Sequence, residues 1–233
     1  MRERAGVAPA GRDEEARAAL DRALELDRDL VSAWFARAKV RGRNGDPEGA
    51  YEDLDTVLAI DPDHVGALLA RAEADFTAGR YEAALPDLDR ALFETDDPSV
   101  VLGLRGRVLR GLGRTAEALE DLARAVELDP SAERTVLELA GLHLAEARTL
   151  EALAVLVRDT GSIDGRGEAL LLRARAQLLL GDTAAALVDI ERAVALGERA
   201  GARAVLADPA LAAVPEAHVL SHGLADASGG SGT

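Results

Sequence analysis

The chain has 233 residues, no cysteine and a net charge of −15. This excludes a disulfide framework, thiol chemistry and a Cys-based metal site. It also argues against an unspecific grip on nucleic acid or anionic lipid, since both need positive charge.

Hydrophobic residues make up 48% of the chain but aromatic ones only 3%, and the Ala, Leu, Arg, Glu and Asp that dominate favour helices. No uninterrupted apolar run approaches the roughly 20 residues of a membrane span. The opening MRERAGVAPAGRDEE lacks the apolar core of a signal peptide, so the expected location is the cytoplasm. Lys39 is the only lysine among 27 basic residues, an arginine bias expected of a GC-rich bacterial genome.

Residues 1–11 carry Gly6, Pro9 and Gly11 without a period and read as a flexible arm. Residues 12–30 read as the second half of a helical repeat, with Ala16, Leu20 and Ala23 on its apolar side. Five full repeats of 34 residues follow without insertion: 31–64, 65–98, 99–132, 133–166 and 167–200. Their marks fall at repeat positions 4, 8, 15, 20, 24 and 32. The first has Trp34, Ala38, Gly45, Ala50, Leu54 and Pro62, and the second Leu68, Ala72, Gly79, Ala84 and Leu88. The third has Leu102, Gly106, Gly113, Ala118, Leu122 and Pro130. The fourth keeps Val136, Ala140, Ala152 and Leu156 but has Ala147 for the turn glycine, and the fifth has Leu170, Ala174, Gly181, Ala186 and Ile190.

The marks have physical reasons. Small residues at positions 8 and 20 let two helices approach, and larger ones at 4 and 24 fill the layer between repeats. Glycine at 15 can take the left-handed conformation that ends a helix. The Asp-Pro pairs 61–62 and 129–130 stop second helices. The run DTGSIDGRG, 159–167, reads as a frayed helix end or as a hinge between repeats four and five. After residue 200 the pattern breaks. Residues 201–220 read as a capping segment of two short helices, with Asp208 as a cap and Pro209 in a first turn, and 221–233 as a disordered tail.

Over 12–200 the chain resembles the tetratricopeptide repeat (TPR) proteins. The resemblance implies an all-α, right-handed superhelical solenoid of antiparallel helix pairs, each pair unable to bury its apolar face alone. It implies a non-catalytic adaptor or scaffold that binds a peptide or partner protein in its concave groove. The alternative is a regulatory or sensor portion of a larger multidomain signalling protein.

In the family, positions 2, 5, 9, 12 and 13 of the first helices line the groove. Carried over, they give Phe35, Lys39, Arg43, Leu69, Glu73, Phe76, Arg107, Arg110, Leu137 and Arg175, with Arg134, Leu144, Leu171 and Leu178 beside them. Such a mildly basic groove with an apolar floor suits an acidic or amphipathic partner; the other reading of Phe35 and Phe76 is packing between repeats. The Lys, Asn and Arg clamp that binds chaperone C-termini in some relatives has no counterpart here.

Position 7, usually apolar in the family, is Arg37, Arg71, Arg105 and Arg173, and position 23 is Asp53, Asp87, Asp121 and Asp189. In the fourth repeat both turn apolar together, as Leu139 and Val155. The shared exception predicts an Arg–Asp pair within each of the other repeats. The other readings are separate exposed charges, or arginines that face a ligand.

No catalytic constellation, phosphate loop or cofactor motif stands out. His218 and His222 share a spacing suited to a metal but have no third ligand in sequence, so neither a metal nor a cofactor is expected. Leu20, Leu24 and Leu26 of the opening helix would permit end-to-end homodimers.

Overall fold

The computed structural model describes residues 9–157, 166–212 and 214–226. The expected hinge or frayed end falls mainly on 158–165, outside the described residues. Residues 1–8 of the expected arm and the ASGGSGT end lie outside them too.

Among the described residues the chain is all-α. The helices are α1 (Pro9–Leu26), α2 (Val31–Arg43), α3 (Pro47–Ile60), α4 (Val65–Thr77), α5 (Tyr81–Glu94), α6 (Ser99–Gly111) and α7 (Thr115–Leu128). They continue as α8 (Glu133–Ala145), α9 (Thr149–Val157), α10 (Gly167–Leu179), α11 (Thr183–Ala195), α12 (Arg199–Leu206) and α13 (Pro215–Asp226). The first helices of the pairs start at Val31, Val65, Ser99, Glu133 and Gly167, and the second at Pro47, Tyr81, Thr115, Thr149 and Thr183. Each step in either series is 34 residues.

The chain divides into two compact units, Met1–Ala118 and Leu119–Thr233, with the division inside α7. In the first, each helix from α1 to α5 packs on its successor, and α4 also reaches α6. In the second, α8, α9, α10 and α11 pack in the same succession, and α12 and α13 close on α10 and α11.

Close helix approach rests on the small residues. Ala72 and Ala84, Ala140 and Ala152, and Ala174 and Ala186 are all fully buried. Leu88, Leu122, Leu156 and Ile190, at position 24, are also fully buried. Each such side chain contributes roughly 1.5–3 kcal/mol relative to exposure.

That series does not stop at residue 200. Leu224, again 34 residues after Ile190, is 4% exposed and belongs to the core of the second unit. The C-terminal segment therefore keeps the register of a sixth, shortened repeat. Its first helix ends early because Pro209 follows Asp208, whose carboxylate accepts from the Ala210 amide. Gly201 lets α12 lie against Leu171, since a Cβ there would come within 2.5 Å of that side chain.

Three expectations are corrected. Helix α13 runs to Asp226, past the point where a disordered tail was expected, because Ala217 and Leu224 anchor it in the core. Helix α1 begins at Pro9. Leu24, expected on an open face, is 5% exposed against a packed neighbour, so of the opening helix's leucines only Leu26, at 90%, is strongly exposed.

The turns inside the pairs share one geometry. Gly45, Gly79, Gly113 and Gly181 all have φ between 72° and 82°. In each, the next amide reaches back five residues, closing a six-residue turn, as in Arg80 N–H to the Asp75 carbonyl at 2.8 Å. Ala147 takes the same turn with φ of 56°, and Arg148 N–H still reaches the His143 carbonyl at 2.8 Å. An alanine Cβ is crowded in that conformation. Ala147→Gly should therefore stabilise the protein by about 1 kcal/mol, read as a raised midpoint in urea unfolding.

The Arg–Asp pairs form as two-pronged bonds. Arg71 Nε and Nη2 donate to the two oxygens of Asp87 at 2.7 Å each, and Arg173 does the same to Asp189. Arg37 binds Asp53 at 2.9 and 2.7 Å. These bonds hold the Arg37 and Arg71 guanidinium groups above their ordinary pKa, against the opposing effect of burial.

A second acid enters that the sequence analysis did not pair. Arg37 also donates to Asp21, Arg71 to Asp55 and Arg105 to Asp89, each at 2.7 Å. Each of these aspartates sits 16 residues earlier, on the preceding second helix. Arg105 and its expected partner Asp121 belong to different units. In the fourth repeat Leu139 is buried and Val155 packs on the core of the second unit.

The buried pair tests how such bonds are valued. Arg173→Leu should cost about 3–5 kcal/mol, because Asp189, at 3% exposure, loses its counter-charge. Adding Asp189→Leu should recover most of that loss. Equal melting temperatures for the single and double variants would rule the account out.

Candidate partner-binding site

The first unit contains an open cleft of about 1010 Å³ between α2 and α4, floored by α3. Its floor is built from small residues: Ala38 and Gly42 on α2, Ala50 on α3, Ala70 and Ala74 on α4. These are residues the close packing of pairs requires or tolerates, and their short side chains leave the space. The rim carries Lys39, Arg43, Glu48, Glu52 and Glu73, all exposed.

Three of the expected groove residues, Lys39, Arg43 and Glu73, therefore come together on one cleft. Phe35 is half-buried and packs between repeats: its ring lies 4.8 Å from that of His64, and a Cβ on Gly66 would sit 3.0 Å from it. The Lys39 ammonium lies 5.5 Å from the Phe35 ring centre. Leu69 is half-buried in the core of the first unit. Phe76, also half-buried, packs 5.7 Å from Tyr81 and carries the Arg107 guanidinium 4.3 Å above its ring.

Arg107, expected to face a partner, is 8% exposed, because its cation is stacked on Phe76. Arg43 pairs with Asp13 at 3.0 Å. Arg110 is exposed on α6. Leu137 and Arg175 belong to the second unit, where Leu137 is half-buried against the core and Arg175 is exposed. Leu171 and Leu178 there are buried. The mildly basic groove of the sequence analysis thus has part of its charge already engaged.

A polar cluster at one end of the cleft was not anticipated. Asp75 is 1% exposed. One of its oxygens accepts from Arg80 Nε at 2.8 Å, and the other from the Tyr51 hydroxyl at 3.2 Å. The Arg80 guanidinium also lies 5.4 Å from the Tyr51 ring centre. Tyr51 and Arg80 both line the cleft, so this buried carboxylate fixes two of its side chains. The signal in the sequence was Asp75 at position 11, where the third repeat has the buried Leu109, with Arg80 five residues on.

Burial, then the charge of Asp75, pushes the Tyr51 phenol above its ordinary pKa. The fold thus favours the neutral phenol. This contribution is complete below the unfolded value of about 10 and is lost as pH rises through the raised folded value. Tyr51→Phe should cost about 1–2 kcal/mol at neutral pH, for the lost bond to a buried carboxylate. Its melting temperature should also fall less steeply than that of the wild type above about pH 10.

Among the described residues no group of three His, Asp or Glu side chains could hold a metal, and no helix is long and apolar enough to cross a membrane.

Residues 43–108 and 100–131 match tetratricopeptide repeat profiles. No curated protein matches the chain. Solved structures do. PilF of Pseudomonas aeruginosa is 25% identical, with a TM-score of 0.71 over 80% of this chain and 85% of that one. PilW, described as a type IV pilus biogenesis factor, is 19% identical with a TM-score of 0.71, over 85% of this chain and 89% of its own. YrrB, described as a TPR protein with an unusual peptide-binding site, is 20% identical with a TM-score of 0.64, over 79% and 95%.

Proposed function

For a chain that is a tetratricopeptide repeat protein, we propose a non-catalytic role as an adaptor that holds a peptide or partner protein against its first helices. The observation that carries this reading is the cleft between α2 and α4. It is open, floored by alanine and glycine, and rimmed by charged side chains from two successive repeats. Space of this size accepts large side chains, and charges on the rim set which flanking groups are tolerated. The same arrangement offers no paired nucleophile and base, and the buried Asp75 spends both oxygens on Arg80 and Tyr51. Cytoplasmic work belongs to this reading.

The test is capture from native lysate. The bait is the wild-type chain beside a Phe35→Ala/Lys39→Glu/Glu73→Lys variant whose circular dichroism and melting match a folded protein. A partner held by the wild type and at least about tenfold depleted with the variant is the expected result, the equivalent of about 1.4 kcal/mol of binding. A partner held equally by both would remove the site from this face.

A further inference from the structure

We infer that the cleft of the first unit receives a basic amphipathic segment of its partner, with an apolar side chain on the small-residue floor and Lys or Arg on the flanks. This rests on the interaction reading above and adds the chemistry of the occupant. The argument is one of charge left over after internal pairing.

Three cations line the cleft, and two are already engaged. Arg43 is ion-paired with Asp13 at 3.0 Å, and Arg80 with the buried Asp75 at 2.7 Å. Lys39 remains, drawn toward the Phe35 ring. Against it stand Glu48 and Glu52, one turn apart on α3, and Glu73 on the opposite wall. All three are exposed, and their carboxylates take no part in the ion pairs of the described residues. Three open carboxylates against one ammonium favour a cationic occupant.

The long-range field acts in the same sense. A chain of net charge −15 attracts basic segments and repels acidic ones, which raises the encounter rate for the former. A second copy of this chain fits poorly for the same reason: it brings its own −15. The floor adds the apolar half of the match. Beside Leu54 and Tyr51, the small side chains of Ala38, Gly42, Ala50, Ala70 and Ala74 leave room for a bulky group of the partner.

Gly42 makes the site testable without harm to the fold. A Cβ there meets only the Ala50 Cβ, at 3.9 Å, an ordinary van der Waals contact, so Gly42→Leu starts from an uncrowded position and adds its bulk to the lining of the cleft. Leucine is also the better helix former.

The probe is a short fluorescein-labelled helical peptide with leucines on one face and lysines on both flanks, titrated by anisotropy against the full chain. A second peptide keeps the leucines and replaces every lysine by glutamate. Saturable binding of the basic peptide alone is expected, strongly weakened near 1 M salt, where the screening length is about 3 Å. Glu52→Lys and Glu73→Lys should each weaken it about threefold or more, and Gly42→Leu should abolish it.

Equal binding of the acidic peptide, no binding of the basic one, or binding unchanged by Gly42→Leu would each overturn the inference. If the lysate experiment still yields a partner lost with the groove variant, the adaptor reading stands and only the basic occupant falls. If it yields none, the adaptor reading falls on its own evidence.

Discussion

Two helices can lie side by side only as closely as the side chains at their crossing allow, and here the crossing is made of alanine and glycine. Ala72 against Ala84 and Ala174 against Ala186, all fully buried, set the spacing within their pairs. A fixed spacing fixes the turn. The left-handed residue at position 15 must reverse the chain in very few residues, and the six-residue backbone bond closes that reversal each time. With spacing and turn fixed, position 24 arrives buried in the core of its own unit, Leu54 and Leu88 in the first and Leu156, Ile190 and Leu224 in the second. The cleft follows from the same requirement: residues small enough for helices to touch leave open space where no helix covers them.

The fold was legible because this requirement writes itself into the sequence at a constant period. The reversing turn and the position-24 series each depend on one kind of residue at one position, and a period of 34 makes a single deviation visible. The sixth, shortened repeat was missed because its signal is thin. Asp208 and Pro209 cut its first helix, and Leu224 alone carries the series forward.

The site was less legible, because its properties depend on which charges are consumed internally. Sequence placed Lys39, Arg43 and Arg107 on one face, but it could not show that Arg43 meets Asp13, thirty residues back, or that Arg107 lies down on Phe76. The within-repeat Arg–Asp pairs were readable because both partners change together in the fourth repeat. The bridging acids Asp21, Asp55 and Asp89 escaped that logic, because their series runs on through Ala123, Val157 and Glu191 while arginine returns at Arg173, so the two series do not change together. Asp75 had no such series, and only its burial reveals that it organises Tyr51 and Arg80.

The bridging arginines also bear on assembly order. Repeats built to one plan can in principle stack on the wrong neighbour, a known hazard of repetitive chains during folding. Arg71 is satisfied only where the preceding second helix offers an aspartate at the place of Asp55. A second helix bearing Ala123 or Val157 there would leave that side of its guanidinium without a counter-charge. Conversely, the apolar Leu139 set against Asp21, Asp55 or Asp89 would strand a carboxylate on an apolar surface. The junctions at Arg37, Arg71 and Arg105 thus disfavour a predecessor with an apolar residue at that place, while the three like aspartates are interchangeable among themselves.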